Sequence, residues 1–257
     1  MEPPVNFPDH ERLEKRIEHP CFPQPSSVSM PVWRYLDLAK LVSLLKTRTL
    51  YFTRIDQFSD PYEGTTTPRT AEGIGEFLRR NGARSDLTEV LGFYENSRKG
   101  TFVSCWHANE HESEAMWRLY CGDHGGVAVR STYGALLETI RWQQGVYIGQ
   151  VRYVDYGVAS FPDANAFYPV MHKRAAFAHE REVRIVRYLP ESPTEDQPTG
   201  LTLAVDLSAV CHAIFVSPSA SRYYFDAVKA VIEALAPGLE AQLSWSQMNT
   251  PPLRAAG

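Results

Sequence analysis

The sequence lacks the marks of several large protein classes. It holds only four cysteines, Cys21, Cys105, Cys121 and Cys211, and no C-x-x-C pair among them. Such spacing gives neither a disulfide framework nor a strong zinc signature, so free thiols are expected. No apolar run approaches the ~20 residues needed to span a bilayer. Residues 1–20 carry neither a basic stretch nor an apolar one, so no signal peptide and no membrane partner are expected, and the expected compartment is the cytoplasm. Basic charge is not in excess: 26 Lys and Arg against 30 Asp and Glu leave a net charge of −4. That balance argues against broad binding to a phosphate backbone but leaves room for a small basic pocket around one phosphorylated ligand. No strand candidate runs into G-x-G-x-x-G or G-x-x-x-x-G-K-[ST], H-E-x-x-H is absent, and no internal repeat is found.

What is present suffices for a folded core. The chain has 257 residues, 44% of them hydrophobic, which excludes a disordered chain. Residues 1–31 are rich in proline and charge and read as an arm, with a short helix over residues 11–18; residues 249–257 read as a flexible tail. Between them, residues 32–248 are expected to form a single domain. A strand over residues 32–36 is followed by Asp37 as helix N-cap and by Leu38, Leu41, Val42 and Leu45 on one helical face. Residues 49–52 read as a strand and residues 56–64 as a turn. Residues 65–100 are partly helical, with a stop at Asn81–Gly82. Further strands are expected over 101–106, 126–130, 146–156, 182–188, 201–205, 213–216 and 240–245. Further helices are expected over 113–120, 133–142, 168–178 and 223–235, and a loop over 190–200. Strands and helices alternate too unevenly for βαβ units, which predicts an α+β domain with a central split or mixed sheet flanked by helices.

Three segments carry candidate chemistry. In residues 179–184, Glu180 and Glu182 stand two apart at the mouth of a strand and are expected on one face, their pKa values separated by repulsion and by Arg181 and Arg184. The other reading is a surface strand with cross-strand ion pairs. In residues 101–120, Ser104, Trp106 and His107 end a strand, and Glu112, Met116, Trp117 and Tyr120 follow on a helix. The aromatic residues either wall a pocket for a flat ring or are core. Arg34 lies between Trp33 and Tyr35 in an apolar strand, so it needs a carboxylate or phosphate partner: a glutamate of the pair, or a ligand.

Weaker candidates are His107 with His111, Cys105 and Glu112 as metal ligands, Cys105 as a nucleophile, and Asp56, Asp60 and Glu63 as Mg²⁺ ligands rather than an acidic turn. A Mg²⁺- or Mn²⁺-dependent nuclease or phosphodiesterase built on Asp60, Glu63, Lys173, Glu180 and Glu182 is an alternative to the reading below. A non-catalytic ligand-sensing or interaction module is another.

Taken together, F-x-D-P-x-E-G (residues 58–64), S-C-W (104–106), E-x-x-x-M-W-x-x-Y (112–120) and E-x-E-x-R (180–184) resemble the signature of a large bacterial domain-of-unknown-function family. A more distant resemblance is to the ADP-ribosyltransferase superfamily, which sets an Arg or His on a first strand followed by a helix, a Ser or Tyr strand next and Glu-x-Glu or a lone Glu at the start of a later strand. Arg34, Ser104, Glu180 and Glu182 stand in that order. The resemblance implies an ADP-ribosyltransferase-like fold and a small-molecule nucleotide partner, NAD, whose ADP-ribose is transferred to a protein or nucleic-acid acceptor or hydrolysed, in a toxin or defence setting. It implies that Glu182 bonds the ribose and stabilises its cationic transition state, that Glu180 orients the acceptor, and that Ser104 supports the nicotinamide ribose. Arg34, with Tyr35 and Arg184, would bind the cofactor, and Tyr51 or Trp106 would wall the nicotinamide.

Overall fold

The computed structural model describes residues 19–82, 86–122, 125–141, 143–162, 165–189 and 198–250. The expected helix over 11–18, most of the arm, the tail beyond residue 250 and most of the 190–200 loop lie outside these. In chain order the elements are β1 (Pro31–Leu36), α1 (Leu38–Thr47), β2 (Thr49–Arg54), α2 (Pro68–Arg80), α3 (Leu87–Lys99), β3 (Thr101–Ala108), α4 (Glu114–Cys121), β4 (Val127–Thr132), α5 (Tyr133–Ile140), β5 (Val146–Gln150), β6 (Arg152–Val154), α6 (Phe167–Met171), β7 (His172–Arg174), β8 (Glu182–Tyr188), β9 (Gly200–Ala204), α7 (Leu207–Val210), β10 (Ala213–Val216), α8 (Arg222–Leu235) and β11 (Leu243–Trp245). The protein is α+β, with helices and a mixed sheet. No helix of the described residues is long and apolar enough to cross a membrane.

The chain groups into two compact units, each assembled from three stretches: Met1–Ser26, Phe52–Cys105 and Ile140–Leu201 in one, Ser27–Tyr51, Trp106–Thr139 and Thr202–Gly257 in the other. In the second unit β4 lies between β1 and β10, antiparallel to both, and β11 joins β10 in parallel. Asp37 caps α1 as expected, its carboxylate accepting from the Lys40 N–H at 2.7 Å. Trp33, Tyr35, Met116, Trp117, Cys121, Ala128 and Phe215 pack into one core cluster, so Trp117 is core rather than a ligand wall, while Tyr120 is exposed. The turn before β4 needs glycine for space: a Cβ on Gly126 would lie 2.3 Å from the Cys121 sulfur and 2.9 Å from the Leu36 carbonyl oxygen.

In the first unit β8 is central, pairing with β5 on one side and β3 on the other. Val183, Ile185 and Val186 of β8 are fully buried, and the core adds Phe22, Ile55, Val103, Tyr168 and Met171. Residues 19–26 close the outer edge of β5. The Pro23 carbonyl accepts from the Gln150 N–H at 2.8 Å, and the Gln24 side-chain amide donates to the Ile148 carbonyl at 3.0 Å. This part of the expected arm is therefore bound, covering backbone groups that an edge strand leaves exposed.

Two expectations about this unit are corrected. The β-like stretch over 146–156 splits at Val151, whose N–H donates to the Glu182 carbonyl at 2.9 Å. The expected helix over 168–178 runs only from Phe167 to Met171. His172–Arg174 then pairs in parallel with Arg152–Val154, and a 3-10 turn follows over Ala175–Glu180. Ladder hydrogen bonds to β6 outweigh local helical periodicity there, which puts Lys173 on a strand and buries it.

Candidate functional site

The buried charges of the first unit form a closed ring. Arg184 is fully buried on β8. Its Nε donates to Glu182 at 2.6 Å, Nη2 to Glu63 at 2.8 Å and Nη1 to the Val170 carbonyl at 2.6 Å. Lys173 Nζ meets the other oxygens of the same two carboxylates, Glu182 at 2.8 Å and Glu63 at 3.0 Å. Each carboxylate thus holds both cations and each cation holds both carboxylates. Glu180 attaches to this ring through Lys173 at 2.6 Å.

Local chain geometry produces the arrangement. Glu63 comes from the turn after β2, where Glu63 N–H donates to the Asp60 carbonyl. Glu182 opens β8, and its N–H donates to the Tyr153 hydroxyl at 2.7 Å. Glu180 ends the 3-10 turn rather than belonging to the strand, and Arg181 between the two glutamates adopts a left-handed conformation at φ 42. Strand alternation was the expected reason for Glu180 and Glu182 sharing a face. The structure brings both to Lys173 by this reversal instead. A non-glycine residue in that region costs of order 1–3 kcal/mol, and such strain clusters at functional sites.

The electrostatics separate the two glutamates. Burial raises the Glu180 carboxyl, the adjacent Glu182 charge raises it further, and Lys173 only partly opposes them, leaving it pushed up to about 7. Burial acts upward on Glu182 too, but Arg184, the hydrogen bond with Glu180 and Lys173 together hold it well below the usual carboxylate range. Burial acts downward on Lys173 and Arg184, yet their carboxylate partners keep both firmly protonated. The two glutamates, two residues apart, are thus pushed in opposite directions, Glu182 toward a fixed carboxylate and Glu180 toward the protonated form. Arg181, expected to help separate them, has an exposed side chain; Lys173 takes that part.

Asp60 pairs with a third cation, Arg174, the residue next to Lys173. Arg174 donates to it through Nε at 3.2 Å and Nη2 at 2.9 Å. The guanidinium lies 4.4 Å from the Tyr62 ring centroid and 5.4 Å from that of Phe177, and Lys173 Nζ is 4.7 Å from the same Phe177 ring.

The other sequence candidates fall as follows. Ser104 is fully buried on β3 in the first unit. Burial pushes the thiol of half-buried Cys105 up to about 12, away from the thiolate a nucleophile needs. Arg184 spends its donors on the protein, so it is a ring member and not a cofactor ligand. Arg34, Tyr35, Tyr51 and Trp106 belong to the second unit. There the Arg34 Nη2 donates to the Tyr51 carbonyl at 2.9 Å and its guanidinium lies 5.7 Å from the Trp106 ring. Tyr35 is core, its hydroxyl accepting from the Ser113 N–H at 2.8 Å. Glu112 accepts from Trp117 Nε1, Ser246 Oγ and the Gln247 N–H, which gives it a structural part in place of a metal-ligand one.

Among the described residues no group of three His, Cys, Asp or Glu side chains is placed to hold a metal ion. Glu63, Glu180 and Glu182 do converge, but on the Lys173 ammonium, so this arrangement does not fit a divalent cation. Arg174 and Tyr153 were missed in the sequence. Nothing in a Lys-Arg pair or a tyrosine in an alternating run signals their contacts. No family model, curated protein or solved structure matches the chain.

Proposed function

We propose that the protein is an enzyme that breaks the bond between nicotinamide and ribose in NAD, releasing ADP-ribose to water or to a protein or nucleic-acid acceptor, with Glu180 carrying the proton. The reading extends the resemblance of the Arg34, Ser104 and Glu-x-Glu order to an ADP-ribosyltransferase-like fold. What supports it most is one observation: Glu180 and Glu182 meet on a single ammonium, in surroundings that push their two carboxyl groups in opposite directions. Two nearby carboxyl groups with separated protonation behaviour are the usual equipment for acid–base work at a sugar carbon. As the C1′–N bond breaks, its electron pair leaves with nicotinamide and C1′ gains positive character. The acceptor O–H adds there, and its proton passes to the Glu180 carboxylate. Glu182 and Lys173 fix the Glu180 carboxyl in place, which moves the principal role from Glu182, where the resemblance put it, to Glu180.

The metal-dependent nuclease reading draws on the same acidic residues and has less support, because Lys173 already fills the point where three carboxylates meet. The test is incubation with NAD, with and without a protein extract as acceptor, following free nicotinamide. Glu180→Gln is expected to lower release by on the order of 10²–10⁴ while the fold is retained. A folded wild type that releases none, or a Glu180→Gln variant that releases as much as wild type, sinks the proposal. Saturable NAD binding without turnover would instead favour a ligand-sensing module.

A further inference from the structure

The geometry points to Arg174 as the anchor of a phosphate subsite beside Glu180, with its guanidinium presented between Tyr62 and Phe177 to an incoming oxyanion. The inference rests on reading this part of the protein as a nucleotide site and adds which residue grips the ligand's charge.

A guanidinium has two donor edges. Asp60 takes one of them, through Nε at 3.2 Å and Nη2 at 2.9 Å. The Asp60 side chain is 7% exposed, whereas that of Arg174 is 38% exposed. The pair is thus anchored at the carboxylate end and open at the guanidinium end. Arg174 Nη1 has no hydrogen-bond partner among the described residues, so the second edge, Nη1 with the remaining Nη2 hydrogen, is available for a bidentate contact.

The orientation is fixed in advance. Tyr62 lies 4.4 Å from the guanidinium and Phe177 5.4 Å. Tyr62 is itself braced edge-on by Tyr156 at 5.8 Å. Stacking of this kind holds the plane of a guanidinium, which is weakly hydrated and gives up little water when an anion arrives. Tyr62 remains 46% exposed, which leaves ring surface for the body of a ligand. Phe177 contacts both Arg174 and Lys173, so the subsite adjoins the ammonium that carries Glu180.

The charges permit an anion there. Asp60, Glu63 and Glu182 are matched one for one by Lys173, Arg174 and Arg184, all of them paired within the protein. A phosphate bound to a nucleoside and free pyrophosphate offer the same oxyanion chemistry, and the probes separate them.

The test is calorimetric titration of the full chain with ADP, pyrophosphate and adenosine. ADP is expected to bind at least about tenfold more tightly than adenosine, which corresponds to one good charge-assisted contact. Pyrophosphate binding as tightly as ADP would also support the subsite and assign it to a free polyphosphate. The Asp60→Asn/Arg174→Gln double variant removes the pair together and leaves no buried charge alone; it should lose the preference for ADP. Tyr62→Ala, at an exposed ring, should weaken ADP by roughly three- to tenfold with the fold untouched. Equal affinity for ADP and adenosine, or variants that bind ADP as wild type does, overturns the inference. Failure of the enzymatic reading looks different: no nicotinamide release with the ADP preference intact. Turnover of NAD with no ADP preference would sink the subsite alone.

Discussion

Glu63 and Glu182 grip the same two cations. Glu182 lies 2.6 Å from Arg184 and 2.8 Å from Lys173, and Glu63 lies 2.8 Å and 3.0 Å from the same pair. One carboxylate comes from the turn after β2 and the other from the start of β8, so the ring ties distant stretches of one unit together at a buried point.

Removing either carboxylate leaves two buried cations sharing the other, with one positive charge of the ring uncompensated. Glu182→Gln and Glu63→Gln should each cost about 3–5 kcal/mol in urea unfolding, the range for breaking one side of a buried pair. That is a large share of an ordinary domain's stability of roughly 5–15 kcal/mol. Glu180→Gln leaves the ring intact and should cost much less. Equal losses for Glu180→Gln and Glu182→Gln would mean that the ring is not the cooperative unit its geometry suggests. For the same reason Glu182→Gln is a poor probe of catalysis.

The sequence disclosed much of the frame and only part of the site. Periodicity and caps place β1, α1 and β8 because each satisfies a local rule: an apolar run, an Asp N-cap, alternation. The segment around Lys173 was misread because its strand exists only through pairing with β6, a contact distant in the sequence. Spacing marks Glu180 and Glu182, and their acidity groups them with Asp60, Glu63 and Lys173 as a metal site. The missing element was a sign: burial of Lys173 makes an ammonium, not a divalent ion, the centre of that group. Arg174 was invisible, since its partner Asp60 and its two flanking rings meet it only in the folded chain.

The opposite protonation behaviour of the two glutamates fixes a pH dependence. The Glu180 carboxyl is raised to about 7 from an ordinary 4.5, so the folded protein favours its protonated form. Between those two values the unfolded chain ionises this group and the fold resists doing so, and its contribution to stability falls as pH rises through that window. Glu182 is lowered, so its contribution is present above about pH 4.5 and is lost as pH falls further. Melting temperatures of wild type and Glu180→Gln, compared from pH 5 to 8, should shift progressively in favour of the variant. A constant difference across that range would contradict the assignment.

Gly149 permits the approach of residues 19–26 to β5. A Cβ there would lie 2.8 Å from the Phe22 Cα and 2.9 Å from its carbonyl carbon, both backbone atoms that cannot swing aside. Gly149→Ala should therefore displace the segment and destabilise the unit by roughly 1–3 kcal/mol, the usual cost of overpacking. Hydrogen exchange should show the Gln150 amide, which the Pro23 carbonyl protects, opening faster than amides of β8. Unchanged protection at Gln150 would mean that the segment is not held by this contact.

In the second unit Glu112 fastens the chain after β11. One of its oxygens accepts from Trp117 Nε1 at 3.0 Å and Ser246 Oγ at 2.6 Å, and the other from the Gln247 N–H at 2.8 Å. Hydrogen bonds to a charged group contribute about 1.5–3 kcal/mol each when the partners are buried, and Ser246 is buried. Glu112→Ala should therefore free residues 246–249 first, before α4 loosens, because α4 keeps the packing of Met116 and Trp117 against Tyr35 and Phe215. Limited proteolysis should then cut near Met248, which is already exposed, in the variant well before wild type. Cleavage at equal rates, or general unfolding of the variant, would show that Glu112 supports the whole cluster and not the segment alone.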